Sequence, residues 1–394
     1  MTETEAGFRG SGVLLVAGVV LKKLNRTVPA VAIGLAVGLG ASGAAQDRPR
    51  ARDLGIAPGG TEPGRGNAIT DVAGVLVGHT TLVEGDDVRT GVTAIRPHPG
   101  NVYRAKVAGA VFVGNAFGKL AGSTQVQELG TIETPIVLTN TLSVGTAVEG
   151  VVRWTLAQDG NGNVRSVNAL VGETNDGRLN DIRGLHVTAD HVRQAIDGAA
   201  AGPVAEGAVG AGTGTVAFGW KGGVGTSSRL VRQGDSTWTV GALVQSNYGG
   251  RLTIDGVPVW RELDPRGTGE SPDGSCMVVV ATDAPLDARD LERLAARAIF
   301  ALARTGSTFS NGSGDFAIAF STHASLRVTG GTAPQPREIL PTDAVSGLFA
   351  GVMDATEEAV YNSMLRATDV TGNGATVRAL PIDELRQVMR KYGR

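Results

Sequence analysis

Asp273-Gly274-Ser275-Cys276-Met277-Val278-Val279-Val280-Ala281-Thr282-Asp283-Ala284-Pro285-Leu286 sets a Gly-Ser pair directly against an apolar, β-branched run. A short apolar run bounded by turn residues reads as a buried strand. A serine at the edge of such a strand has its backbone held by the sheet while its hydroxyl faces the cleft at the strand end. Were the chain to break between Gly274 and Ser275, that serine would carry a free α-amine beside its own hydroxyl. An α-amine titrates at about 7.7–8.0, so it can serve as a base near neutrality without a histidine. On its own, Gly-Ser before a strand is simply a turn.

Working outward, short Val/Ile/Leu runs alternate with glycine-containing turns. They fall at Val75–Val77, Ala108–Val113, Ile136–Leu138, Val167–Val171, Thr215–Phe218, Val240–Val244, Met277–Ala281 and Phe316–Phe320. Helical spacing appears over Ser143–Gln158, Asp287–Arg304, Asp343–Arg366 and Ile382–Lys391. The second of these has Asp287 as N-cap, Asp290 at the capping-box position, an inward stripe of Leu291, Leu294, Ala295, Ala298 and Leu302, and Gly306 as its stop. Asp197–Pro203 reads as an exposed low-complexity loop. No fixed-period repeat divides the chain. Strands and helices in this alternation predict an α/β (α+β) layered fold.

Composition narrows the function. With 394 residues, 42% hydrophobic but only 4% aromatic, the core is built from Val, Leu, Ile and Ala. The 58 glycines follow no triplet period, which suits tight turns and close backbone contacts rather than collagen. A net charge of −2 offers no footprint for nucleic acid. Cys276 is the lone cysteine, so neither an intramolecular disulfide nor a cysteine metal site can form. Of the five histidines only His186 and His191 are close in sequence, and five apart they do not share a helix face; no metal and no cofactor are expected.

Residues 1–47 differ from the rest. Lys22, Lys23 and Arg26 precede an apolar stretch, Val28 to Gly40, which exits through Ala41-Ser42-Gly43-Ala44-Ala45. That is the order of a secretory signal, and its apolar middle is too short and too rich in Gly and Ala for a comfortable membrane span. The residues before Lys22 fit this pattern poorly. We expect a leader over 1–47 and a periplasmic or secreted catalytic domain over 48–394, the alternative being an N-terminal extension on a cytoplasmic enzyme. A single cysteine suits either compartment.

Six blocks carry a family resemblance. They are the Asp273–Leu286 stretch, Gly66–Val75, Leu138–Gly145, Gly222–Arg229, Val244–Gly249 and Asn311–Phe316. Taken in chain order, over roughly residues 50 to 370, these blocks resemble the DmpA-type aminopeptidases, which include the L-aminopeptidase/D-Ala-esterases and the β-peptidyl aminopeptidases. The resemblance implies a four-layer α/β/β/α sandwich, of the type shared with ornithine acetyltransferase. It also implies self-cleavage between Gly274 and Ser275 into an α chain (48–274) and a β chain (275–394). Oligomers of such αβ units are expected, a tetramer among them.

Ser275 is then the nucleophile and, once freed, its α-amine the base. Asn247 matches the family's oxyanion asparagine, though an Asn before Gly249-Gly250 is equally a turn residue. Ser313 and Asp315 match the serine and acidic residue placed beside the new N-terminus; the plain alternative is a Gly/Ser/Asn loop. Some members carry Glu where this chain has Asp315. A carboxylate must also receive the substrate ammonium, and Glu133 is the candidate, with Glu128 as competitor and a solvated loop carboxylate as the alternative. Asn140 and Thr141 are candidates to line the same cleft, a polar strand end being the equal alternative. Gly222–Arg229 lacks the Lys-Ser/Thr ending of a phosphate loop, and Gly212–Ala217 follows a Gly/Ala loop rather than a strand, so both read as structural loops backing Ser275.

The expected function is a serine aminopeptidase that removes N-terminal residues from short peptides, amides and esters through an acyl-enzyme. Two rivals are an ornithine-acetyltransferase-like acyltransferase, against which a serine rather than threonine nucleophile argues, and an unprocessed binding or scaffold protein.

Overall fold

The computed structural model describes residues 48–265 and 274–394. The leader expected over 1–47 lies outside the described residues, as does Asp273.

The first half of the chain supplies strands β1 (Leu76–Glu84), β2 (Val88–Arg96), β3 (Val107–Ala116), β4 (Leu120–Ala121), β5 (Thr131–Ile132), β6 (Ile136–Asn140) and β7 (Leu170–Thr174). Helices α1 (Ser123–Leu129), α2 (Val144–Leu156) and α3 (Ala189–Asp197) lie among or after them. The second half adds β8 (Val216–Ala217), β9 (Trp220–Lys221), β10 (Gly223–Gln233), β11 (Ser236–Asn247), β12 (Ser275–Thr282) and β13 (Gly314–Ser321), with helix α4 (Ala288–Thr305) between the last two. Helix α5 (Ser346–Leu365), a small ribbon of β14 (Val370–Gly372) and β15 (Ala375–Val377), and helix α6 (Ile382–Lys391) finish the chain.

Two mixed sheets form. One has the order β1-β2-β6-β7-β4, the other β10-β11-β12-β13-β3-β5. The period-2 geometry of β12 shows how they stack. Met277, Val279 and Ala281 enter the cluster between the sheets, against Leu138 and Leu170. Cys276, Val278 and Val280 face the opposite way, into a cluster with Leu294, Ala298 and Leu302 of α4 and Val352 and Ala359 of α5. On the far side of the first sheet, Val92, Val137 and Val171 pack against Val151 and Trp154 of α2 and Val192 and Ile196 of α3. Helix, sheet, sheet, helix is the resulting order of layers, as the resemblance implied. A strand covered on both faces must be apolar at every position, which is why 277–281 shows no alternation.

Helix α4 follows its sequence signals closely. The Asp287 side chain accepts from the Asp290 amide at 3.0 Å, and Gly306 closes the helix at φ +104. A cap of this kind contributes about 1 kcal/mol. The capping box is not completed, however: the Asp290 carboxylate pairs with Arg293 at 2.6 Å instead.

Gly222–Arg229, expected as a loop, is corrected to strand β10 from Gly223 onward. Its glycines are required by close backbone approach rather than by turning. A Cβ on Gly225 would fall 2.1 Å from the Ala359 carbonyl of α5, and one on Gly223 would fall 2.3 Å from the Gly207 carbonyl. Strand β2 and helices α1 and α3 come in addition to the expected elements. Asp197–Pro203 is largely exposed as expected, though Ala200 bridges to Val77.

Candidate active site

Ser275 is the first residue of β12, register partner of Asn247 on antiparallel β11 and of Gly314 on parallel β13. Residues opposite each other on neighbouring strands share a face. Gln245 and Met277, the next pair along that face, lie between the sheets. Ser275 and Asn247 therefore lie on the inter-sheet face at the end of the ladder, both buried.

The backbone around Ser275 is set for one contact. The Gly314 N–H donates to the carbonyl oxygen of Gly274 at 3.1 Å and to Ser275 Oγ at 3.2 Å. One donor thus touches both the carbonyl before Ser275 and the hydroxyl that would attack it. Both glycines are sterically required. A Cβ on Gly274 would lie 2.2 Å from the Asn247 carbonyl and 2.5 Å from Tyr248 Cα, and one on Gly314 would lie 2.7 Å from the Phe117 carbonyl.

Asn247 is anchored by one half of its carboxamide. Its Oδ1 accepts the Val216 N–H at 2.9 Å, leaving the Nδ2 hydrogens as the half that can be offered to an oxygen. The loop carrying Val216 is tied down by Lys221, whose Nζ donates to the Gly212 and Gly222 carbonyls at 2.8 Å each. Burial pushes the Lys221 ammonium down to about 7, opposed by the charge of Asp176. The Gly212–Ala217 segment does back the cleft, by holding Asn247.

Ser313 and Asp315 face the same way across Gly314. The Ser313 hydroxyl donates to Asp315 Oδ2 at 2.7 Å, while Asp315 Oδ1 is buried with no hydrogen-bond partner among the described residues. Burial raises the Asp315 carboxyl to about 6, and the Ser313 hydroxyl and the nearby Cys276 amide pull it part-way back. A buried acceptor without a donor costs free energy, so it marks a place where a donor is due.

A sequence model of peptidase family S58 matches residues 67–377. The chain belongs to peptidase family S58. It is 43% identical over 393 residues to the β-peptidyl aminopeptidase BapA of Sphingosinicella microcystinivorans, an alignment spanning 93% of this chain and 97% of that protein. Identity to the BapA of Sphingosinicella xenopeptidilytica is 44% over 369 residues, covering 87% of this chain and 91% of that one. Among solved structures, the L-aminopeptidase D-Ala-esterase/amidase of Ochrobactrum anthropi, a variant of the Ntn-hydrolase fold, superposes with a TM-score of 0.83 at 39% identity. That superposition covers 88% of this chain and 99% of the other. A β-aminopeptidase from a Burkholderia species superposes with a TM-score of 0.81 at 41% identity, again covering 88% and 99%. The S58 chain is accordingly a serine-type, self-processing aminopeptidase of α/β class, and peptides are its substrates.

One expectation within the S58 site is corrected, that for Glu133. Glu133 is paired with Lys106 and accepts from the amide and side chain of Asn168. Lys106 precedes the start of β3, whereas Ala116 at the other end of β3 pairs with Gly314. Ten residues of strand, about 30 Å, separate Glu133 from the nucleophile. Its competitor Glu128 is exposed on α1. Asn140 sits at the same end of β6 as Thr141, and the chain uses its Oδ1 and one of its two Nδ2 hydrogens. Oδ1 accepts from the Leu142 and Ser143 amides and Nδ2 donates to Thr90 Oγ1 at 2.8 Å. It orders the turn that carries Thr141, and its second Nδ2 hydrogen is the part of it left for a ligand.

Glu173 is the carboxylate that stands near Ser275. It lies at the C-terminal end of β7, is 2% exposed, and accepts the Lys119 N–H at 3.0 Å through Oε1 and the Thr141 hydroxyl through Oε2. Gly118 bridges it to the nucleophile: a Cβ there would sit 3.2 Å from Glu173 Oε1 and 3.3 Å from Gly314 Cα. The signal in the sequence is an acidic residue at the end of the apolar run Leu170-Val171-Gly172. His186 and His191 go separate ways, to Asp181 and to the Thr188 amide. Among the described residues no cluster of three His, Cys, Asp or Glu side chains is arranged to hold a metal.

Proposed function

We propose that Ser275 Oγ performs both self-cleavage and turnover, and that Gly314, Asn247, Asp315 and Glu173 each serve it at a defined atom. What carries the proposal is the shared donor: the Gly274 carbonyl and the Ser275 hydroxyl converge on the Gly314 N–H. In self-cleavage Ser275 Oγ adds to the Gly274 carbonyl carbon, with Gly314 N–H polarising the carbonyl oxygen. Collapse breaks the C–N bond, the nitrogen takes the hydroxyl proton, and Gly274 is left as an ester on Ser275. Water hydrolyses the ester, releasing the Gly274 carboxylate and a β chain of 120 residues that begins with Ser275.

The new α-amine is the base the site otherwise lacks. It takes the Ser275 proton as Oγ attacks the substrate carbonyl, and returns it to the departing amine. Asn247 Nδ2 and Gly314 N–H steady the oxyanion. Asp315, with its unpartnered Oδ1 and its Ser313 contact, receives the α-ammonium. Glu173 receives the substrate's own ammonium, which makes the enzyme an aminopeptidase rather than an endopeptidase. The substrates we assign are short peptides, amides and esters with a free N-terminal amine. The two BapA relatives favour including N-terminal β-residues.

Intact mass with N-terminal sequencing tests the scheme. We expect two chains, one starting Ser-Cys-Met-Val, and a single uncleaved chain for Ser275→Ala. Active protein without a Ser275 terminus would refute it. The same measurement reads the other end: the basic-apolar-small order of Lys22 to Ala45 supports export, and an α chain retaining Met1 would refute that. An oligomer of αβ units is also part of the proposal, checked by light scattering.

A further inference from the structure

Glu173 already faces a cation. Lys119 Nζ lies 3.6 Å from its Oε1, and the Lys119 side chain is 56% exposed while Glu173 is buried. The Lys119 amide also donates to Oε1, so this residue is anchored at its base and exposed at its tip. A substrate ammonium docking on Glu173 arrives beside that lysine, and one carboxylate then faces two cations. For an N-terminal residue with a neutral side chain, the repulsion is relieved only if Lys119 swings into solvent. If the substrate carries a carboxylate next to its ammonium, two anions alternate with two cations and every charge has an opposite neighbour.

We propose that Lys119 selects N-terminal residues bearing a carboxylate beside the free ammonium, β-linked aspartyl peptides being the simplest. In such a residue the ammonium and carboxylate share one carbon, close enough to meet Glu173 and Lys119 together. The scissile carbonyl is one methylene further on, the spacing of a β-amino acid. The selection is a matter of binding and leaves the chemistry at Ser275 unchanged. It rests on the ammonium role of Glu173.

The test compares β-aspartyl with β-alanyl p-nitroanilide, which differ only by the carboxylate, on the processed enzyme. Wild type should bind the β-aspartyl substrate with a KM about tenfold lower, ~1.4 kcal/mol. Lys119→Met should abolish that preference, raising KM for β-aspartyl about tenfold and lowering it for β-alanyl by about two-fold, with kcat little changed. Absence of a preference in wild type, or a preference that survives Lys119→Met, overturns the proposal. Glu173→Gln separates the two layers. If it raises KM for both substrates while Lys119→Met changes nothing, the ammonium role stands and the selectivity falls. If it leaves both KM values unchanged, the ammonium role itself falls.

Discussion

Asn247 and Ser275 are directly opposed across the β11–β12 ladder, the last register pair at that end of the sheet. Opposed residues on antiparallel strands hold their Cβ atoms about 4.5–5.5 Å apart. A carbonyl carbon bonded to Ser275 Oγ would therefore have its oxygen within reach of the Asn247 carboxamide without any loop having to move. The sheet, rather than a flexible segment, sets the distance between nucleophile and oxyanion donor.

Asn247→Asp is the sharpest test of that donor. Aspartate keeps an acceptor for the Val216 N–H, which lies 2.9 Å from Oδ1, and removes the two N–H donors. Loss of one oxyanion donor typically costs about 10²–10³ in kcat. We expect a fall of that order with KM changed far less, measured on an amino-acid p-nitroanilide. A kcat within about threefold of wild type would remove Asn247 from the oxyanion site.

Gly274→Ala should stop maturation. The added Cβ meets the Asn247 carbonyl at 2.2 Å and Tyr248 Cα at 2.5 Å, both backbone atoms that cannot step aside. The Gly274 carbonyl must then shift off the Gly314 N–H. Denaturing electrophoresis should show one uncleaved chain persisting for hours, where wild type shows two. Full-rate cleavage in the variant would mean the described backbone is not the reacting one.

What the sequence makes legible depends on where each residue sits along its strand. Ser275, Asn247, Ser313 and Asp315 lie in blocks whose order resembles a family, and each ends or begins an apolar run, so their convergence can be anticipated. Glu133 also adjoins an apolar run, at its start. Which end of a strand reaches the cleft is decided by strand direction: Ser275 begins β12, whereas Glu173 lies near the end of β7. Periodicity carries no direction, so Glu133 and Glu173 look alike in sequence. Strand β10 escapes a sequence reading because its glycines, needed where α5 packs backbone to backbone, resemble turn residues. The fully buried Lys221 gives no signal, since its contacts are to carbonyls nine residues and one residue away.

Glu173→Gln removes the charge and keeps one acceptor oxygen for the Lys119 amide, while the Thr141 hydroxyl must turn to accept from the new NH2 group. A charge-assisted hydrogen bond is worth about 1.5–3 kcal/mol, so KM for substrates with a free amine should rise about 10- to 100-fold. N-acetylated substrates, which present no ammonium, should be cleaved equally poorly by both forms. Unchanged KM for free-amine substrates would show that the ammonium binds elsewhere.

Asp315 makes stability depend on pH in a direction that can be worked out. Burial raises its folded-state value to about 6, above an ordinary aspartate near 3.8, so in this range the folded protein holds a proton that the unfolded chain has released. Stability attributable to this group is therefore highest below pH 3.8, declines as pH rises toward 6, and stays low above it. In uncleaved Ser275→Ala protein no α-ammonium exists to compensate the charge. Adding Asp315→Asn to that background should raise Tm at about pH 7–8, and the gain should shrink to nothing as pH falls below about 4. In mature enzyme the same substitution should give no such gain, because the ionised carboxylate then pairs with the Ser275 ammonium, and turnover should drop. The measurement is a pair of Tm-against-pH curves by differential scanning calorimetry. Parallel curves with and without Asp315→Asn in the Ser275→Ala background would show that the carboxyl is not the buried, raised acid described. A pH-dependent gain persisting in the mature enzyme would show that the new N-terminus does not reach it.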